Sequence, residues 1–185
     1  MSLEYAILGF LNYLPLSGYD LKKMFDTSVQ HFWPADQSQI YRTLARLTEQ
    51  GFVEMDVVHQ DDRPDRKVYH ITPPGREQLQ GWLKAMPSAE PNRSAALIQV
   101  FFCGQLSDQE ILAKFEAVAG MMRVVLERYQ QIPDQLEEYS HMVNSQRETY
   151  FWLLTLDLGL RTMRANLEWA ENVIKQLKQG KVPAN

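Results

Sequence analysis

Apolar positions along the chain follow two patterns, one with helical spacing and one alternating, and their order predicts the elements. Residues 3–14 (Leu-Glu-Tyr-Ala-Ile-Leu-Gly-Phe-Leu-Asn-Tyr-Leu) read as a short buried helix stopped by Pro15. Ser17 then stands where a hydroxyl can accept an orphan backbone N–H, capping a second helix from Gly18 to about Val29 with Leu21, Met24 and Phe25 on one side. After Trp33-Pro34, Asp36 is placed to cap a third helix from Gln37 to about Gln50, and Gly51 to close it. Its inner stripe is Ile40, Leu44 and Leu47; the opposite face carries Ser38, Arg42, Ala45, Arg46 and Glu49. The period then changes to two. Phe52–Gln60, with Val53, Met55 and Val57, predicts a strand, Asp61-Asp-Arg-Pro-Asp65 a turn, and Arg66–Thr72, with Val68 and Ile71, a second strand. Thr72 and Pro73 predict the cap and first residue of a fourth helix running to about Met86, with Leu79, Trp82 and Leu83 inward.

Pro87 to Arg93 has the composition of a linker. A short apolar helix is expected over 94–104, ending near Gly104, and Ser107 with Glu110 forms a capping box that starts a long helix. Ile111, Phe115, Val118, Met122, Val125, Tyr129 and Ile132 recur in steps of four and three before the break at Pro133. The last helix is expected from about Leu136 or later to Lys178, closed by Gly180. Its seam, Leu156, Leu160, Met163, Leu167, Ala170, Ile174 and Leu177, has the same heptad alternation, so the two long helices should run antiparallel. The expected fold is mainly α: a winged helix-turn-helix domain over 1–87 and a C-terminal antiparallel helical dimerisation domain over 94–179.

Composition narrows the function classes. At 45% hydrophobic and 23% charged, the 185 residues are of globular type and can bury a core without staples. Cys103 stands alone, as suits a reducing compartment, and is expected as a small buried side chain. With no basic start and no apolar run of about 20 residues, the expectation is a soluble, cytoplasmic protein without membrane association. His31, His59, His70 and His141 are scattered, phosphate loops and nucleophile elbows are missing, and carboxylate pairs fall in turns or exposed helix. Neither an enzyme nor a bound cofactor or metal is therefore expected.

The order helix, helix, helix, strand, turn, strand, helix places the third helix in a DNA major groove and the hairpin against backbone or minor groove. Gln37, Ser38, Gln39, Tyr41, Arg42 and Arg46 are the candidate readers, since Arg can bridge guanine O6 and N7 and Gln can pair with adenine. Arg63, Arg66 and Lys67 supply phosphate contacts at the wing. Lys22 and Lys23 read as solvated lysines rather than further contacts. The charge balance runs the other way: the net charge is −4, and residues 1–87 hold nine Lys/Arg against eleven Asp/Glu. Asp61, Asp62 and Asp65 also weaken the field at the wing. A winged helix that docks on proteins without binding DNA is the alternative.

Three stretches resemble PadR-type regulators: Leu3-Glu-Tyr-Ala-Ile-Leu-Gly with Ser17-Gly-Tyr-Asp-Leu; Gln39-Ile-Tyr-Arg-Thr-Leu-Ala-Arg-Leu-Thr-Glu-Gln-Gly-Phe-Val-Glu; and Arg66-Lys-Val-Tyr-His-Ile-Thr-Pro-Pro-Gly-Arg. The helical region to about residue 178 resembles the subgroup that includes virulence-gene activators. The resemblance implies a homodimer on an inverted-repeat operator, usually a repressor, with Tyr41 touching phosphate and Tyr69 packed under the wing. Trp152, Leu156, Leu160, Met163, Leu167 and Ile174 are the candidate dimer contacts. The resemblance also implies a small aromatic or amphipathic effector, for which Trp33, Phe101, Phe102, Phe151 and Trp152 could line a pocket, although aromatics at helical spacing more often form core.

Overall fold

The computed structural model describes residues 2–30, 32–59, 65–87, 93–132 and 145–183, which fall into two compact units, 1–87 with 132–153, and 88–131 with 154–185. The first unit thus takes in a stretch that the sequence assigned to the second domain.

In the first unit, α1 (Ser2–Tyr13) leads into a two-residue strand β1 (Leu16–Ser17) and helix α2 (Gly18–Met24). Ser17 caps α2 in a full capping box with Asp20. The helix does not run evenly to Val29; Phe25–Val29 is a π-turn. The third helix, α3 (Gln37–Glu49), ends at Gly51, whose φ of 73° is the left-handed conformation that glycine adopts without steric cost. Strands β2 (Val53–Val58) and β3 (Arg66–Ile71) pair antiparallel, Val53 opposite Ile71 and Met55 opposite Tyr69. β1 adds to the other edge of β3, Leu16 opposite Tyr69, giving the order β1-β3-β2. Thr72 caps α4 (Pro73–Lys84) through its hydroxyl.

Burial follows the predicted inner stripes. Ile7, Leu8, Leu21, Ile40, Leu44 and Leu47 are almost fully excluded from solvent and form one core with Val53, Tyr69, Ile71 and Leu79. On β3 the inward pair is Tyr69, packed under the wing as the resemblance implied, and Ile71, with Val68 on the other face and only partly covered, because strand faces alternate by two. One expectation is corrected. On α4 Leu79 is inward but Trp82 and Leu83 are exposed; Trp82 stacks on Tyr5 of α1 at 4.5 Å and 5° instead.

In the second unit, α5 (Ala95–Phe101) is shorter than predicted and passes into a 3₁₀ turn, Cys103–Gln105. Ser107 and Glu110 close the capping box of α6 (Asp108–Gln130). The last helix, α7 (Gln146–Lys178), ends before Gly180 at φ 61°; the predicted break at Pro133 and helix start near Leu136 lie outside the described residues. Cys103, Ile111, Phe115, Ala119, Ala170 and Leu177 form a second core, with Met122, Leu167 and Ile174 partly covered against it. Ion pairs Glu116–Lys178 (2.7 Å) and Arg123–Glu171 (2.6 Å) show that α6 and α7 run antiparallel: as one number rises the other falls. No helix among the described residues is long and apolar enough to cross a membrane.

Candidate nucleic-acid interface

The local chemistry of α3 fixes where its outer face begins. The Asp36 carboxylate accepts from the Gln39 backbone N–H at 2.7 Å, and the Gln39 side-chain oxygen accepts from the Asp36 N–H at 3.0 Å. Gln39 is therefore part of the cap, a role its spacing from Asp36 could have revealed. With Ile40, Thr43, Leu44 and Leu47 buried, Gln37, Ser38, Tyr41, Arg42, Ala45 and Arg46 are exposed. Arg42 Nε donates to the Ser38 carbonyl at 3.3 Å, one turn back. Arg46 pairs with Glu4 of α1, a partner 42 positions away that the sequence did not disclose. Ser38, Arg42 and Arg46 thus share one solvent-facing strip.

Tyr41 is 41% exposed and lies directly on the start of α2. A Cβ at Gly18 would come within 2.5 Å of the Tyr41 ring, so a glycine there is what lets the two helices approach this closely. Tyr69 is buried beneath, and burial, reinforced by Tyr41 beside it, pushes its hydroxyl above the usual tyrosine range.

On the wing, Arg66 pairs with Asp20, the residue that also closes the α2 cap. Burial alone would raise the Asp20 carboxyl, but bonds from Ser17 and from the Arg66 guanidinium outweigh it and hold the carboxyl below its ordinary value. One carboxylate therefore ties the α2 start to the wing strand. Lys67 is exposed; Arg63, Asp61 and Asp62 lie outside the described residues. Asp65 pairs with His59 at 3.0 Å, and Lys22 pairs with Asp26, four residues on in the π-turn.

The expected aromatic pocket is only partly as foreseen. Trp33 and Trp152 line a cavity in the first unit, together with Tyr5, Tyr13 and Trp82. Phe101 and Phe102 lie in the second unit, exposed and in edge-to-face contact with each other. Phe151 is not among the lining residues. The aromatic signal that went unread was on α1, where Tyr5 and Tyr13 lie off the core stripe of Ile7, Leu8 and Leu11. No group of three or more metal-ligating side chains gathers among the described residues.

Residues 7–81 match the model of the transcriptional regulator PadR-like family, and residues 92–178 match the virulence activator alpha C-terminal model. The chain is 28% identical over 176 residues to the negative transcriptional regulator PadR of Bacillus subtilis, spanning 95% of this chain and 97% of that one. It superposes on the structure of that relative in complex with operator DNA with a TM-score of 0.80, at 29% identity over 96% and 99% of the two chains. Against the same relative in complex with p-coumaric acid the TM-score is 0.72, at 28% identity over 95% of each. With both regions matched in order, and with the capped helix and wing of the first in place, this chain belongs to the PadR-like family of transcriptional regulators and carries a virulence-activator-type C-terminal region.

Proposed function

We propose that the protein is a DNA-binding transcriptional regulator, not an enzyme, that acts in the cytoplasm as a homodimer on an inverted-repeat operator and represses the genes it controls. The observation that carries this reading is the outer face of α3, where Ser38, Arg42 and Arg46 are solvent-facing while the opposite stripe is wholly committed to the core. Residues 1–87 form the reading domain. Gln37, Ser38, Gln39, Tyr41, Arg42 and Arg46 enter the major groove, and Arg63, Arg66 and Lys67 meet phosphates at the wing. The operator complex of the Bacillus subtilis relative, similar along nearly the whole chain, supports the assignment.

Residues 94–179 supply the dimer. Of the expected seam, Trp152, Leu160 and Met163 are the proposed contacts, joined by the apolar surface of α5, which has no buried residue; Leu156 is buried within its own chain, and Leu167 and Ile174 pack against their own core. Two symmetric copies read half-sites about one helical turn, roughly 34 Å, apart. A small aromatic or amphipathic compound is the effector; the p-coumaric acid complex of the relative and the aromatic cavity of the first unit support this part.

Selection of bound duplexes from a random pool tests the whole reading. The expected result is a palindromic consensus, bound with an affinity that falls steeply as salt rises. A pool that yields no consensus, with no salt-dependent duplex binding, would instead mark a protein-docking winged helix.

A further inference from the structure

The cavity of the first unit has a volume of about 530 Å³, within the size range of small-molecule sites. Aromatic side chains make up nearly half of its described lining. Tyr5 and Trp82 both line it and stack nearly parallel on each other, so each covers one face of the other and only an outer ring face of the pair is open to a ligand. Tyr13 and Trp152, also in the lining, meet edge to face at 5.7 Å. Among the described lining residues there is no Lys, Arg or His, and one carboxylate, Glu148.

That carboxylate accepts a 2.6 Å hydrogen bond from the Tyr13 hydroxyl. Burial first, then the bond to Glu148, pushes the Tyr13 hydroxyl far above the usual tyrosine range, so it remains a neutral phenol. A neutral donor satisfies one lone pair and cancels no charge. Arg147, the preceding residue in sequence, lies over the Phe151 ring at 5.2 Å, and no ion pair to Glu148 occurs among the described residues. The negative faces of the aromatic rings attract cations, more strongly as water is excluded. An anionic ligand would meet the Glu148 charge with no described cation to offset it.

We propose that this cavity binds a hydrophobic organic cation, an aryl- or alkyl-substituted ammonium or phosphonium, stacked on the open ring face of the Tyr5–Trp82 pair with its charge beside Glu148. This rests on the reading of the protein as effector-responsive and fixes the charge class of the effector, opposite to that of the aromatic acid held by the relative.

Trp33, Trp82 and Trp152 line the site and report on it. The full-length protein is titrated with tetraphenylphosphonium, with tetraphenylborate, which has the same shape and the opposite charge, and with p-coumarate, following tryptophan fluorescence. Saturable quenching by the phosphonium is expected, about tenfold or more tighter than by the borate. Glu148→Gln, which keeps an acceptor for Tyr13, is expected to weaken the phosphonium by about tenfold. If thermal melts show that this variant is unfolded, Trp82→Leu takes its place and must weaken binding severalfold through the lost π face. Equal affinity for borate and phosphonium, or undiminished phosphonium binding in the folded variant, overturns the proposal. Binding of p-coumarate without the phosphonium overturns the charge class and leaves the effector reading standing. Silence with all three ligands overturns both.

Discussion

Arg42 and Arg46 sit one turn apart on α3 but would enter a DNA contact from different starting states. Among the described residues, Arg42 bonds only a carbonyl of its own helix, so its guanidinium can turn to a base edge without giving up a tertiary partner. Arg46, 52% exposed, is held by Glu4 and must exchange one anion for another. Half-exposed pairs of this kind contribute roughly 0–1 kcal/mol to folding. Arg42→Ala is therefore expected to cost roughly 1–3 kcal/mol of operator affinity, the value of a bidentate guanine contact, and to leave the denaturation midpoint unchanged. Arg46→Ala should lower both, the midpoint slightly. Fluorescence anisotropy on the selected operator, with urea melts of each variant, separates the two. Arg42→Ala with full affinity would remove Arg42 from the reading face. Both arginines were legible as outward-facing from their spacing against Ile40, Leu44 and Leu47, because a helix period needs only local sequence. Glu4 was not, because a pair across 42 positions exists only once the fold has closed.

The same division holds for whole elements. Ser17, Asp36, Thr72 and Ser107 start helices where the sequence placed them, since a cap depends on one side chain and the next three backbone groups. Gly51 and Gly180 end helices for an equally local reason. What local pattern missed was made by tertiary pairing. Strand β1 has only two residues and exists because β3 offers an open edge. The outward turn of Trp82 depends on Tyr5 lying across from it. The tie between α2 and β3 through Asp20 belongs to this second class, and it gives the wing a pH response. The folded-state pKa of Asp20 is depressed, so its contribution is complete above the ordinary aspartate range and is lost as pH falls through that lowered value. Asp20→Asn is expected to destabilise the protein by about 1 kcal/mol at neutral pH, through the weakened cap and the lost charge partner of Arg66. Urea midpoints of wild type and variant should converge as pH is lowered from 5 toward about 2–3. A gap that stays constant over that interval would show that the carboxylate charge contributes nothing.

At the scale of the whole molecule, the acidic balance has to be reconciled with a polyanionic target. A net charge of −4 provides no general attraction to DNA, so affinity must come from a few placed cations used twice, once in each copy. The dimer is then a condition of binding and not an addition to it. The second unit has the surface for it: Phe101 is 81% exposed, and Leu97, Ile98 and the adjoining Phe102 are exposed around it, on a helix that has no fully buried residue and packs on its own core through Val100. Apolar side chains grouped in this way mark a surface meant to be covered. Leu167 and Ile174 are less suited to a test, since both already pack against the core of their own unit and a charge there would confound folding with assembly. Ile98→Glu with Phe101→Glu avoids that difficulty. The double variant is expected to keep its helical circular dichroism and to sediment as a monomer. It should bind the operator about 10²-fold or more weakly, because each half-site is then met independently. A double variant that still sediments as a dimer would shift the interface off α5. A monomer with undiminished operator affinity would break the link between pairing and reading on which a weakly charged regulator depends.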